Sequence, residues 1–338
     1  MRILICTQAV DRDDPVLSFF HGWLLEFAKH FERIEVICLK EGRHSLPENV
    51  FVHSLGKPGS RVKYVYRFYK YITRFQSNYD AVFVHMNQEY VLLGAFLWRS
   101  WRKKIILWRN HKEGSLFTRL AAKWAHKVCY TSPQAYVANF ENAIQMPIGI
   151  DTNIFRPSEI PPEPNSLLFL GRLDPVKNPG IFCEAVAILN NKNVSTKADI
   201  YGDPTPGRGD EADNIKKKYG NLPNLTFHSA IPNQETSALY SSHSIYVNLT
   251  LSGSFDKTIG EAMASGCIVI AANDVVRNAV PSEYFVDINA ESVANATKAA
   301  LGLSPERRSA ITSSQKNWII REHSLSLLVS RLIEMIRR

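Results

Sequence analysis

Arg172 and Lys177 are the residues best placed for chemistry. In LLFLGRLDPVKNPGIF, residues 167–182, they follow an apolar run and a glycine turn, and a helix is expected to open near Asn178. Two cations beside a helix N-terminus, where backbone N–H groups lack partners, make an anion site that a diphosphate would fit. Cations are also ordinary in solvated loops, so the simpler reading stays open. SGSFDKTIGEAMASG, residues 252–266, supplies a second helix start in the same half of the chain. Ser252 or Ser254 can cap it, Gly253 lets backbone approach closely, and N–H groups near Phe255 and Asp256 can meet a phosphate or a sugar hydroxyl. Glu261 follows Lys257 by four residues and is flanked by glycine, alanine and methionine. In the bland reading the two form a weak i,i+4 ion pair. In the functional one the small neighbours leave room for something bulky, and a carboxylate that accepts both hydroxyls of a ribose needs no acidic partner.

The N-terminal half offers further polar residues at strand ends. VFVHMNQEY carries His85 and Asn87, and AVDRDDPVLSFFHGW carries Asp11, Asp13 and His21 just past the first strand. They suit the lining of a second-substrate site and equally suit caps and loops. Asp11 and Asp13 spell D-x-D, which is weak evidence for a metal, and no metal or other cofactor is expected. No G-x-G-x-x-G follows the first strand, which argues against NAD and FAD, and P-loop, zinc and G-x-S-x-G spacings are missing too.

The elements that must position these residues are strands alternating with helices. RILIC, IEVICL, VFVHSL, DAVFVHM, KIILWRN and KVCYTS precede a break, and SLLFLG, KADIYG, LTFHSA, SIYVNL, CIVIAA and EYFVD follow it. Such alternation implies parallel sheets covered on both faces, whose ligands bind beyond the carboxyl ends of the strands. The break lies in residues 146–165, where five prolines interrupt the rhythm. A chain of 338 residues exceeds one typical core. Two doubly wound domains are therefore expected, residues 1–150 and 151–318, with a C-terminal helix at 319–338 that could return to the first. The five cysteines are scattered without a C-x-x-C pair, as reduced, buried thiols would be. No apolar run is long enough to span a bilayer and MRILIC reads as a strand, so the expected location is the cytoplasm or the cytosolic face of a membrane.

Forty Lys and Arg against thirty-two Asp and Glu leave a net charge of +8, which favours an anionic partner. SRVKYVYRFYKYITRF, residues 60–75, sets Lys63, Arg67, Lys70 and Arg74 beside Tyr64, Phe68, Tyr71 and Phe75 at helical spacing. Such a helix can lie on an anionic membrane surface, or it can pack its aromatics on a sheet and keep its cations in water. Nucleic acid is not expected, because no recognised motif accompanies the charge.

GRLDPVKNP, YGD at 201–203, LYSSHSIYVNLT and EAMASGCIVIAA together resemble the C-terminal half of the retaining glycosyltransferases of family 4, and MPIGIDTNIF resembles the segment between that family's two domains. The resemblance covers most of residues 120–280. It implies the GT-B fold, an α/β architecture of two doubly wound Rossmann-like domains facing a central cleft. It also implies transfer of a sugar from a nucleotide diphosphate sugar to an acceptor such as a glycan or a lipid-linked glycan. By position, Arg172 and Lys177 would hold the donor diphosphate and Glu261 its ribose. KIILWRNHKEG resembles the family's strand ending in a histidine that faces the donor sugar, which marks His111. Asp13, His21, His85 and Asn87 would line the acceptor site. The first Glu of the family's E-x7-E pair is replaced here by Gly253, so contacts to the donor sugar must come from Gly253, Ser254 and Phe255 or from the side chains of Asp256 and Lys257. The same replacement motivates an alternative, a non-catalytic nucleotide-sugar-binding or scaffold protein. A sugar-nucleotide epimerase on the same fold would need more acid and base groups.

Overall fold

Apolar runs rich in Val and Ile become parallel strands in both halves of the chain. The structure is a computed structural model that describes residues 1–14, 16–207, 209–251 and 255–337. It divides into two compact units, the first made of Met1–Gly149 with Leu325–Arg338 and the second of Ile150–Ser324.

The first unit contains β1 (Arg2–Val10), α1 (Phe19–Ala28), β2 (Arg33–Glu41), β3 (Val50–Ser54), α2 (Arg61–Arg74), β4 (Ala81–His85), α3 (Gln88–Ser100), β5 (Lys104–Trp108), α4 (Leu116–Trp124), β6 (Lys127–Tyr130) and β7 (Ala143–Gln145). The strands form one parallel sheet in the order β3-β2-β1-β4-β5-β6-β7. Alternate residues of β1 enter opposite cores. Ile3 and Ile5 join Trp23, Phe27 and Phe83 on one face, while Leu4 and Cys6 join Phe68, Trp98 and Leu107 on the other. β7 pairs with β6 over three residues and is too short for a periodicity to betray it.

In α2 the aromatic stripe faces inward. Phe68 and Ile72 are buried, the Tyr69 hydroxyl donates to Leu93 O at 2.9 Å, and Phe75 stacks on His53. The outward face carries Lys63, Arg67, Lys70 and Arg74 together with Val62 and Tyr66, which are 78% and 68% exposed.

The second unit contains β8 (Glu163–Leu170), α5 (Pro179–Asn191), β9 (Lys197–Tyr201), α6 (Gly209–Tyr219), β10 (Leu225–His228), α7 (Asn233–Ser242), β11 (His243–Asn248), α8 (Lys257–Ala264), β12 (Ile268–Ala271), α9 (Ala290–Leu301) and α10 (Pro305–Trp318). Its parallel sheet runs β10-β9-β8-β11-β12. EYFVD, expected as a strand, is not one. Ser282–Tyr284 forms a single 3-10 turn, and only Phe285 bridges to Ala271. Pro281 before it lacks the donor a ladder needs and leaves too little chain to pair.

A π-helical turn at Ile319–His323 ends the second unit, and the last helix, α11 (Leu325–Arg337), belongs to the first. Its apolar stripe of Leu328, Val329, Leu332 and Ile336 completes the core beside α1. All five cysteines are buried and unbridged. Among the described residues no helix is long and apolar enough to cross a membrane.

Candidate active site

The turn after β8 is built by close backbone approach. Gly171 N donates to Tyr201 O at 3.0 Å and Leu173 N to Asp203 O at 3.2 Å, so the YGD turn is fastened onto GRL. A Cβ on Gly202 would stand 1.9 Å from Gly171 O, so only glycine fits there. Asn178, at φ 54°, turns the chain into α5 through the left-handed region that Asn tolerates, and its Nδ2 donates to Leu249 O at 2.9 Å. The loop between β8 and α5 is thereby tied to the end of β11.

The Lys177 stem runs past Gly171, and its ammonium pairs with the Asp256 carboxylate. Asp256 is the N-cap of α8, accepting from Thr258 N at 3.4 Å. The cap is therefore Asp256, because the helix starts at Lys257 and a carboxylate one residue before it reaches the orphan N–H groups directly. Asn248 Nδ2 and the Thr250 hydroxyl also donate to Asp256, at 3.0 and 3.1 Å. Burial alone would raise the Asp256 pKa, but the Lys177 charge and the bonds from Lys177, Asn248 and Thr258 outweigh it and bring the group down to about 2.

Glu261 lies one turn along α8, 5% exposed, and accepts from the Tyr240 hydroxyl at 3.3 Å. Burial drives its pKa above the usual carboxylate range, and the Asp256 charge adds to that, against the opposing pull of Lys257 and hydrogen bonds from Tyr240 and Asn233. Burial lowers the Lys257 pKa, partly offset by Glu261. Phe255 is buried and stacks on Trp318, so its ring is engaged in packing. Ser252, Gly253 and Ser254 lie outside the described residues.

Arg172 belongs to a neighbouring polar group. Its Nη1 donates to the Thr205 hydroxyl at 3.2 Å and stands 3.5 Å from Asp174 Oδ2, while Thr205 donates to both Asp174 oxygens at 3.0 and 2.6 Å. The structure thus joins Lys177, Asp256, Lys257 and Glu261 in one cluster. Arg172, exposed, lines a hollow with Asp174, Pro175, Val176 and Thr205. Asn248, Thr250 and Tyr240 were missed by the sequence reading. The polar end of YVNLT, immediately after an apolar strand, is the signal that could have found the first two.

In the first unit His111 follows β5 in an exposed loop, where its Nδ1 lies 3.0 Å from Glu113 N and 3.2 Å from Glu113 O. Two residues earlier, Arg109 also escaped the sequence reading. Its Nε is buried without a hydrogen-bond partner among the described residues, and burial lowers its pKa despite the Glu89 charge. His85 is buried at the end of β4, stacked on Phe20 at 4.4 Å, which makes it part of an aromatic core. His21 Nε2 accepts from Ser45 N at 3.1 Å, and Asp13 pairs with Arg43 at 2.6 Å on the surface. Asn87 accepts from Gln8 Nε2 at 2.7 Å and lines a cavity. Among the described residues no three His, Cys, Asp or Glu side chains are grouped to hold a metal ion.

Residues 150–317 match the family model of the glycosyl transferases group 1. The chain carries a glycosyl transferases group 1 domain. That domain holds Arg172, Lys177, Asp256, Lys257 and Glu261, whereas His111 and Asn87 precede it. The full chain has the GT-B fold. It superposes on Anabaena HepE in complex with UDP at a TM-score of 0.77 with 17% identity, covering 100% of both chains. It superposes on a glycosyltransferase from Rickettsia africae at 0.77 with 16% identity, covering 99% of this chain and 98% of that one. For sucrose-phosphate synthase from Thermosynechococcus elongatus the values are 0.73 and 16%, over 99% and 98%. No curated protein matches the chain by sequence.

Proposed function

We propose that the protein is a retaining glycosyltransferase of family 4 that moves a sugar from a nucleotide diphosphate sugar to an acceptor, with the second unit binding the donor and the first the acceptor. The carrying observation is the Lys177–Asp256–Glu261 cluster at the start of α8, inside the glycosyl transferases group 1 domain. Lys177 and Arg172 neutralise charge developing on the departing diphosphate. When Lys177 turns to a phosphate, Asp256 keeps the bonds from Asn248, Thr250 and Thr258, so the cap survives donor binding. Glu261 accepts from the ribose hydroxyls, and His111 orients the sugar. Gly253, Ser254 and Phe255 bring backbone N–H groups to the distal phosphate or sugar. No protein base is required where the leaving phosphate takes the acceptor proton itself, and no metal is invoked. The basic outer face of α2 suits contact with the anionic cytosolic face of a membrane, each cation contributing about 1 kcal/mol there.

Anabaena HepE has been seen with UDP and with UDP-glucose, so these are the first donors to try. Calorimetric titration followed by a transfer assay with UDP, GDP and ADP sugars tests the reading, and NMR of the product anomer tests retention. Lys177→Met or Arg172→Gln is expected to lower turnover about tenfold to a hundredfold, as loss of a charged hydrogen bond worth about 1.5–3 kcal/mol requires. Unchanged turnover in both would remove the assignment. Gly253 at the place of the family's first Glu favours the scaffold alternative, which predicts nucleotide-sugar binding with no transfer or hydrolysis for any donor.

A further inference from the structure

A cavity of about 640 Å³ lies wholly within the first unit. Its place follows from topology. β1 is flanked by β2 on one side and β4 on the other, so the chain leaves β1 in one direction and later returns on the other side of it. At such a reversal the connections beyond the carboxyl ends of the strands diverge and open a crevice. Gln8, near the end of β1, and Asn87, which starts α3, meet there through their 2.7 Å hydrogen bond, and α2 and α3 supply the sides.

The lining is divided by chemistry. Leu39, Tyr64, Val65 and Leu93 present apolar surface over the buried Leu55 and Phe68, while Lys57 and Arg61 are both exposed. Neither cation makes a side-chain hydrogen bond or an ion pair among the described residues. The one carboxylate in the lining, Glu89, sits at the start of α3 and is felt electrostatically by Arg109. Two unpaired cations beside a low-dielectric surface attract an anion more strongly than they would in open water. Glu89 disfavours a second anionic group at its end of the cavity and offers an acceptor to a hydroxyl.

We propose that this cavity receives the acceptor and that the acceptor is an amphipathic anion. A phosphate or carboxylate meets Lys57 and Arg61, and the apolar body joined to it lies on Leu39, Tyr64, Val65 and Leu93. The word acceptor rests on the glycosyl transfer proposed above; the ligand chemistry rests on the cavity alone.

Calorimetric titration of the full chain with 1-naphthyl phosphate, farnesyl phosphate, 1-naphthol and inorganic phosphate tests this. Both phosphorylated amphipaths are expected to bind at least tenfold more tightly than naphthol or inorganic phosphate. Farnesyl phosphate above naphthyl phosphate identifies a lipid source, and the reverse order a soluble one. The double variant Lys57→Gln/Arg61→Gln, exposed at both positions, is expected to lose at least tenfold in amphipath affinity with its thermal melt unchanged, and Val65→Asp on the lining of α2 to do the same. Equal binding of naphthol and its phosphate, undiminished affinity in the double variant, or no binding of either amphipath would each overturn the proposal. UDP titrated alongside reports on the donor site in the other unit, so a failed transfer reading and a failed cavity are told apart.

Discussion

Asp256 does two jobs with one carboxylate, capping α8 and holding the Lys177 ammonium. Its folded-state pKa, near 2, lies below the ordinary 3.8, so the stability it contributes is fully present above pH 4 and is lost as pH falls through 2. The difference corresponds to roughly 2 kcal/mol. Asp256→Asn keeps a capping oxygen and is expected to unfold more easily at neutral pH by about that amount, with the gap from wild type closing between pH 4 and 2 in urea titrations. Glu261 behaves oppositely. Its pKa is raised by burial, so a proton must leave before the carboxylate can accept from ribose hydroxyls. Nucleotide affinity is expected to climb with pH above the ordinary carboxylate range, and the climb to vanish in Glu261→Gln together with about tenfold to a hundredfold of the affinity. The sequence showed Lys177 and Glu261 because cations and a lone carboxylate at strand-to-helix junctions are unusual in type. It did not show Asp256 as a cap, because nearby serines offered equally good capping chemistry and only the helix start at Lys257 separates them.

Among the elements, the turn joining GRL to YGD positions the site most directly. Gly202→Ala places a methyl against Gly171 O and must displace the backbone beside Arg172. It is expected to cost about 1–3 kcal/mol of stability and to weaken nucleotide binding as well. Gly22→Ala in α1 is the matched control. A Cβ there meets nothing within 4 Å, and the helix is expected to gain about 0.5–1 kcal/mol. Thermal melts of the two variants should move in opposite directions. Long apolar runs such as RILIC and CIVIAA were legible as strands because a parallel sheet buries both faces. β7 was not, because three residues carry no period, and EYFVD misled because its aromatics serve packing without a partner strand. The α2 aromatics had two readings with identical spacing, and it is their contacts to Leu93 and His53 that show them packed inward.

At the scale of the whole molecule, the first unit is assembled from both ends of the chain, with α11 packed into its core. The amphipathic stripe of that helix was visible in the sequence; which unit it packs into is a long-range matter that local pattern does not encode. Leu328 is fully buried there, and Leu328→Ala is expected to cost about 2–5 kcal/mol. Hydrogen exchange should show protection falling across residues 1–149 and 325–337 while residues 150–324 keep theirs. The same arrangement orders events on the ribosome. The middle of the polypeptide is continuous and can collapse as soon as residue 324 emerges, whereas the opening 149 residues wait for α11. Chains truncated after residue 324 and released from the ribosome should therefore resist protease in the middle segment and be cut freely before it.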